Sequence, residues 1–80
     1  MTVLLFAAAR EAAGSARLQL ELAPGTTLAE VADQLVAELG EHMRPLLATC
    51  AMWLNGEPVS PSTALSPGDE LAVLPPVSGG

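Results

Sequence analysis

The 80-residue sequence predicts a small α+β domain, four or five strands in a mixed sheet packed on one main helix. Three observations carry that class. Arg17-Leu18-Gln19-Leu20-Glu21-Leu22 alternates polar and apolar residues with the two-residue period of a strand. Leu28, Val31, Leu35 and Leu39 recur with the period of one helical face. Asn55-Gly56, the dipeptide that suits a two-residue hairpin turn, separates two short apolar stretches.

Taken in order, Thr2 to Ala8 is an apolar block that predicts a strand buried on both faces. Arg10 to Gly14 then reads as a polar break, so Arg17 to Leu22 would return as the second strand of an opening hairpin. Pro24-Gly25 ends that hairpin, and Thr27-Leu28-Ala29-Glu30 is a capping box. The helix it starts keeps Glu30, Asp33, Gln34 and Glu38 away from the apolar face and stops at Gly40, expected in the left-handed conformation. His42 to Ala48 predicts at most one helical turn, broken by Pro45. Cys50 to Leu54 predicts a strand and Glu57-Pro58-Val59 a short edge strand, because Pro58 cannot donate to a ladder. Ser60 to Ser66 is loop, Pro67-Gly68-Asp69 a turn, and Glu70 to Leu74 the last strand. A hairpin, a crossing helix and further strands is the β-grasp layout of ubiquitin.

Composition narrows function. Half the residues are apolar, too many for disorder and more than a domain of this size can bury, so part of the aliphatic surface should face a partner. Nine carboxylates oppose three arginines (Arg10, Arg17 and Arg44) with no lysine, for a net charge of −6. That excludes a counterion-displacing nucleic-acid binder and an anionic membrane surface, and favours a basic partner. The single cysteine allows no internal disulfide, and the apolar run Val3 to Ala9 is too short to span a bilayer and lacks the basic flank of a signal peptide. The expected compartment is the cytoplasm.

Catalytic constellations are nearly absent. His42 and Cys50 are the only histidine and thiol, and nothing in the sequence orients them as a pair, so they read as a surface histidine and a small core cysteine. A structural zinc site would need four nitrogen or sulfur ligands, and no metal site is expected. Glu30, Asp33, Glu38 and Glu41 have the spacing of a solvated helix face. Trp53 reads as a packing residue, with a contact anchor as the alternative.

The ending Pro75-Pro76-Val77-Ser78-Gly79-Gly80 stands apart. Proline stiffens the exit from the last strand, and two glycines form a tip without side chains. Such a backbone can enter a narrow channel and present its carboxylate to another protein's active site. An ionised carboxylate is a poor electrophile until it is adenylated with ATP, after which a thiol, persulfide or amine can attack the acyl group. Residues 1–76 are thus expected to form the β-grasp domain and 77–80 a flexible Gly-Gly tail.

The sequence resembles the ubiquitin-like sulfur carriers, in particular the small subunits of molybdopterin synthase. The resemblance covers essentially the whole chain. It rests on Val3-Leu4-Leu5-Phe6-Ala7 with Arg10-Glu11 and Gly14, on Leu54-Asn55-Gly56, and on Leu65, Gly68-Asp69-Glu70 and the ending Leu74 to Gly80. The Phe…Arg-Glu…Gly opening favours the molybdopterin branch over the thiamine-sulfur branch. The resemblance implies that an E1-like adenylyltransferase activates Gly80 and that a sulfur donor converts it to a thiocarboxylate. It further implies that Pro75, Pro76, Val77, Ser78, Gly79 and Gly80 enter the large synthase subunit, where sulfur passes to precursor Z. By the same likeness Phe6, Pro58 and Leu74 are partner contacts, and the chain binds no cofactor of its own, ATP and Mg being used by the activating partner. Leu74 stands where an aromatic is frequent in such proteins, and Trp53 where a small aliphatic is usual. Three alternatives share the fold: a carrier for thiamine or cysteine synthesis, a ubiquitin-like protein modifier, and an interaction module with an inert tail. The partner recovered, the presence of conjugates, and the effect of deleting Gly79 and Gly80 separate them.

Overall fold

The computed structural model describes residues 1–76. Its elements are β1 (Thr2–Leu5), α1 (Ala7–Ala13), β2 (Arg17–Gln19), α2 (Leu28–Leu39), α3 (Met43–Thr49), β3 (Ala51–Leu54), β4 (Glu57–Pro58) and β5 (Glu70–Leu74). The five strands form one mixed sheet in the order β2-β1-β5-β3-β4. Only the central β1–β5 pair is parallel. A parallel pair needs a crossover connection, and here the crossing carries α2. The β-grasp expectation holds, with a five-strand sheet and α2 as the longest helix.

The capping box is present as the sequence predicts. Thr27 accepts from the Glu30 N–H, and the Glu30 carboxylate accepts from the Thr27 N–H at 2.9 Å. These bonds satisfy donors that a helix start leaves free. They also hold the Glu30 carboxyl below its ordinary pKa, the backbone bond contributing most. At the other end Gly40 has φ 115° and ψ 157°, so it is not in the left-handed helical conformation expected. Its backbone lies in a region nearly exclusive to glycine, and a Cβ there would meet the His42 Nδ1 at 2.8 Å.

Three further expectations are corrected. The first strand ends at Leu5, and Ala7–Ala13 is a helix, so β1 and β2 are antiparallel neighbours joined through α1 instead of a tight hairpin. Five alanines and an αL Gly14, whose N–H bonds to the Arg10 carbonyl, favour that helix. The second strand covers only Arg17–Gln19, although Leu20 and Leu22 still turn inward. Pro45 does not break α3, because it stands in the first turn, where no intrahelical N–H donor is required.

The core lies between the sheet and the helices. Val3, Leu5, Leu71 and Val73 of the central strands meet Val31 and Leu35 of α2 and Met43 and Leu47 of α3, all almost fully shielded from water. The N–H of Asn55 bonds to the Glu70 carbonyl, and its side chain bridges the Asp69 carboxylate and the Glu70 N–H. Asn55 and Gly56 both have positive φ, as the tight hairpin turn requires.

A helix-free sheet face as candidate partner site

Alternation along each strand separates the sheet into a core face and a helix-free face. In β1 and β5 the inward residues are Val3, Leu5, Leu71 and Val73, so Leu4, Ala72 and Leu74 point to the opposite side. Strand register aligns the second set. Leu4 stands beside Ala72, Ala72 opposite Trp53, and Trp53 opposite Pro58, giving one apolar row across four strands. Arg17 ends that row on β2.

A neighbouring row lies toward the exit of the chain. Leu74 pairs with Ala51, and the Phe6 N–H bonds to the Val73 carbonyl, so Phe6 extends β1 alongside Leu74. Phe6 is extended (φ −119°, ψ 153°) and Ala7 turns at φ 49°, the left-handed region that L residues enter at a cost of about 1–2 kcal/mol. The kink starts α1 directly after Phe6 and leaves the ring outside it. Phe6 is 44% exposed and Trp53 39%, the two large apolar side chains left open to water among the described residues.

Phe6, Pro58 and Leu74 therefore share one face, at the side of the sheet from which Pro75 and Pro76 lead away. The expected tail residues Val77, Ser78, Gly79 and Gly80 lie outside the described residues. Sequence reasoning missed Leu4, Ala72 and Ala51 as members of the face. Reading Thr2 to Ala8 as buried on both sides concealed that Leu4 belongs to the open side. Trp53, left between packing and contact, stands on this face and outside the buried core.

The other titratable groups have separate tasks. His42 Nε2 lies 2.9 Å from the Ala12 carbonyl, linking the start of α3 to the end of α1. Cys50 donates its thiol proton to the Leu46 carbonyl at 3.2 Å, and burial raises its pKa, which works against a thiolate nucleophile. Cys50 is half-buried at the core margin rather than inside it. Asp33 and Glu41 both bond to Arg44 at 3.0 Å, Glu41 being the larger cause of its raised pKa. Among the described residues no three His, Cys, Asp or Glu side chains gather as a metal site, and no helix is long and apolar enough to cross a membrane.

A five-strand mixed sheet grasping α2 defines a ubiquitin-like β-grasp protein. The chain belongs to the ThiS family, whose match runs over residues 3–80. It is 39% identical to the molybdopterin synthase sulfur carrier subunit of Chlamydomonas reinhardtii, over 98% of this chain and 95% of that protein. In structure it is similar to SAMP1 from Haloferax volcanii, with a TM-score of 0.88 and 30% identity over 99% and 97% of the two chains. It is also similar to a chain in the complex of subunits 1 and 2 of molybdopterin-converting factor from Helicobacter pylori, with a TM-score of 0.68 and 26% identity over 99% and 96%.

Proposed function

We propose that this protein is the sulfur carrier subunit of a molybdopterin synthase. The observation that carries the reading is that the family match extends through the Pro-Pro-Val-Ser-Gly-Gly ending to Gly80. The carboxylate of Gly80 attacks ATP on an E1-like enzyme, pyrophosphate leaves, and an acyl-adenylate forms. A persulfide on the sulfur donor then displaces AMP to form an acyl disulfide, and a donor thiol breaks its S–S bond, releasing the thiocarboxylate and leaving a disulfide on the donor. The chain supplies no catalytic group; it supplies the reactive end and the surface that aligns it. Phe6, Leu74, Pro58 and the row between them dock on the large subunit, and Pro75 to Gly80 enters its active site. There sulfur passes to precursor Z.

Apolar docking suits this task. Burying the open row stabilises the complex by roughly 25 cal/mol for each Å² of apolar surface removed from water, and the stiff Pro75-Pro76 step limits the freedom lost when the tail is held. The net charge of −6 speeds encounter with a basic partner more than it tightens the complex.

The test is the intact mass of the protein purified from its own host. A gain matching one oxygen exchanged for sulfur is expected. Unmodified carboxylate alone, even after incubation with the activating enzyme and a sulfur donor, would contradict the reading.

The likeness to SAMP1, small archaeal modifier protein 1 by its full name, favours a second reading in which activated Gly80 is joined to amines of other proteins. Having no lysine, the chain offers no side-chain amine for linkage to itself. The modifier reading predicts a ladder of larger species on a denaturing gel, lost when Gly79 and Gly80 are deleted. A carrier alone gives the thiocarboxylate without the ladder.

A further inference from the structure

β4 is only two residues long and pairs with β3 at Trp53 and Leu54; the Val59 N–H still bonds to the Met52 carbonyl, and beyond it the edge at Ala51 and Cys50 is left open. A groove of about 460 Å³ occupies that gap, between the chain from Pro58 to Pro61 on one side and the helices on the other. Ala29 and Ala32 of α2, and Ala48 of α3, form the helical wall, and Met52 lies on the strand side. Its small side chains leave room for a larger one. Trp53 and Pro58 belong both to this groove and to the helix-free row. One apolar surface therefore turns the corner of the sheet. Beside the helical wall, Glu30 and Asp33 follow Ala29 and Ala32 along α2, and both are exposed. The nearby cation, Arg44, is held by Asp33 and Glu41.

We propose that the partner covering the helix-free face continues around Trp53 and seats an apolar side chain in this groove. The inference rests on the carrier reading and takes the large synthase subunit as the occupant. Continuity through Trp53 and Pro58 argues for one partner spanning both surfaces. Trp53 is then the central anchor, a residue type that often dominates interface energies once ringed by contacts that exclude water.

Trp53 is the single tryptophan, so 5-fluorotryptophan labelling gives one fluorine resonance. That resonance is followed while the purified large subunit from the same organism is titrated into the carrier. The comparison uses wild type, Ala48→Arg, Ala29→Gln and Phe6→Arg. Ala48 and Ala29 are exposed, so their replacements fill the groove without entering the core, and Arg near the end of α3 suits the helix dipole. The expected result is a shifted resonance in wild type and binding weakened about tenfold by Ala48→Arg, with Ala29→Gln weaker than wild type. If Phe6→Arg weakens binding while both groove variants bind like wild type, the groove inference is overturned and the docking face stands. If Phe6→Arg binds like wild type and Ala48→Arg does not, no single partner spans both surfaces and the inference is overturned. A fluorine resonance that stays in place as wild type saturates also overturns the inference.

Discussion

Along β5, Leu71 and Val73 are completely shielded from water, packed in one cluster with residues of α2 and α3. Ala72 and Leu74 alternate with them, on the same backbone and in the same ladder, yet point to the side that carries no helix. β1 repeats the division with Val3 and Leu5 against Leu4. Each central strand is thus apolar on both faces, although only one face builds the fold. In a free soluble domain the second face would usually be polar. Apolar residues there contribute little to the free protein, and the proposed docking gives them a use.

The widest separation between the faces comes from truncating each in turn. Leu71→Ala removes a fully buried side chain from a strand flanked on both sides, and such a deletion costs about 2–5 kcal/mol. A chain of this size has roughly 4–12 kcal/mol of total stability. A thermal melt should show Tm lowered by at least about 8 °C, or no folded baseline at all. An unchanged melt would place the core elsewhere.

The converse variants are Phe6→Arg and Leu74→Arg on the open face. Binding to the large subunit should weaken by about 2 kcal/mol or more, close to thirtyfold in Kd. For Phe6→Arg the melt of the free protein should stay within about 4 °C of wild type, the range of ordinary surface substitutions. Titration calorimetry with Glu38→Ala as control makes the measurement. Both arginine variants unfolding outright would make these positions core and erase the distinction between the faces.

The division explains what the sequence made legible. Thr27, Glu30 and the leucine period of α2 are local signals, and local chemistry decided them. The Arg17–Leu22 alternation identified the inward face but not the strand length, because the ladder beyond Gln19 depends on where β1 begins, and there Leu20 meets Met1. Thr2 to Ala8 misled, since an apolar run is the same whether its outer side meets a helix or a partner. α1 was hidden because one of its residues, Ala9, is buried, which leaves no apolar period to read. Of the candidate face, Phe6, Pro58 and Leu74 were named through family resemblance, and the register puts them on one side of the sheet. Leu4, Ala72 and the double membership of Trp53 required the register, which no single segment contains.

A smaller effect should appear at the cap of α2, which touches neither face. Thr27→Ala removes the side-chain acceptor for the Glu30 N–H and should cost about 1 kcal/mol. Tm should fall by about 4–8 °C, while Kd for the large subunit changes by much less than the thirtyfold expected of Phe6→Arg. A loss of binding as large as that of Phe6→Arg would show that the cap of α2 positions the helix-free face as well.

The smallest effect concerns the hairpin at the end of the sheet far from the chain exit. Asp69 accepts from the Asn55 amide at 3.0 Å and from the Ser66 N–H at 2.8 Å. Both bonds favour the charged form and lower its pKa, the Asn55 bond contributing most. Because the folded pKa is lowered, this group adds stability that is complete above its ordinary pKa and is lost as pH falls through the lower folded value. Glu30 acts in the same direction at the cap. Both carboxylates are near the surface, so the gain is screened and should be smaller than the Thr27→Ala loss. Asp69→Asn should therefore melt slightly below wild type at neutral pH, and the gap should close as the buffer is taken below the ordinary carboxylate range. Melts of both proteins across that interval make the test. A gap that stays constant with pH would mean that Asp69 holds the turn by shape alone, its charge contributing nothing.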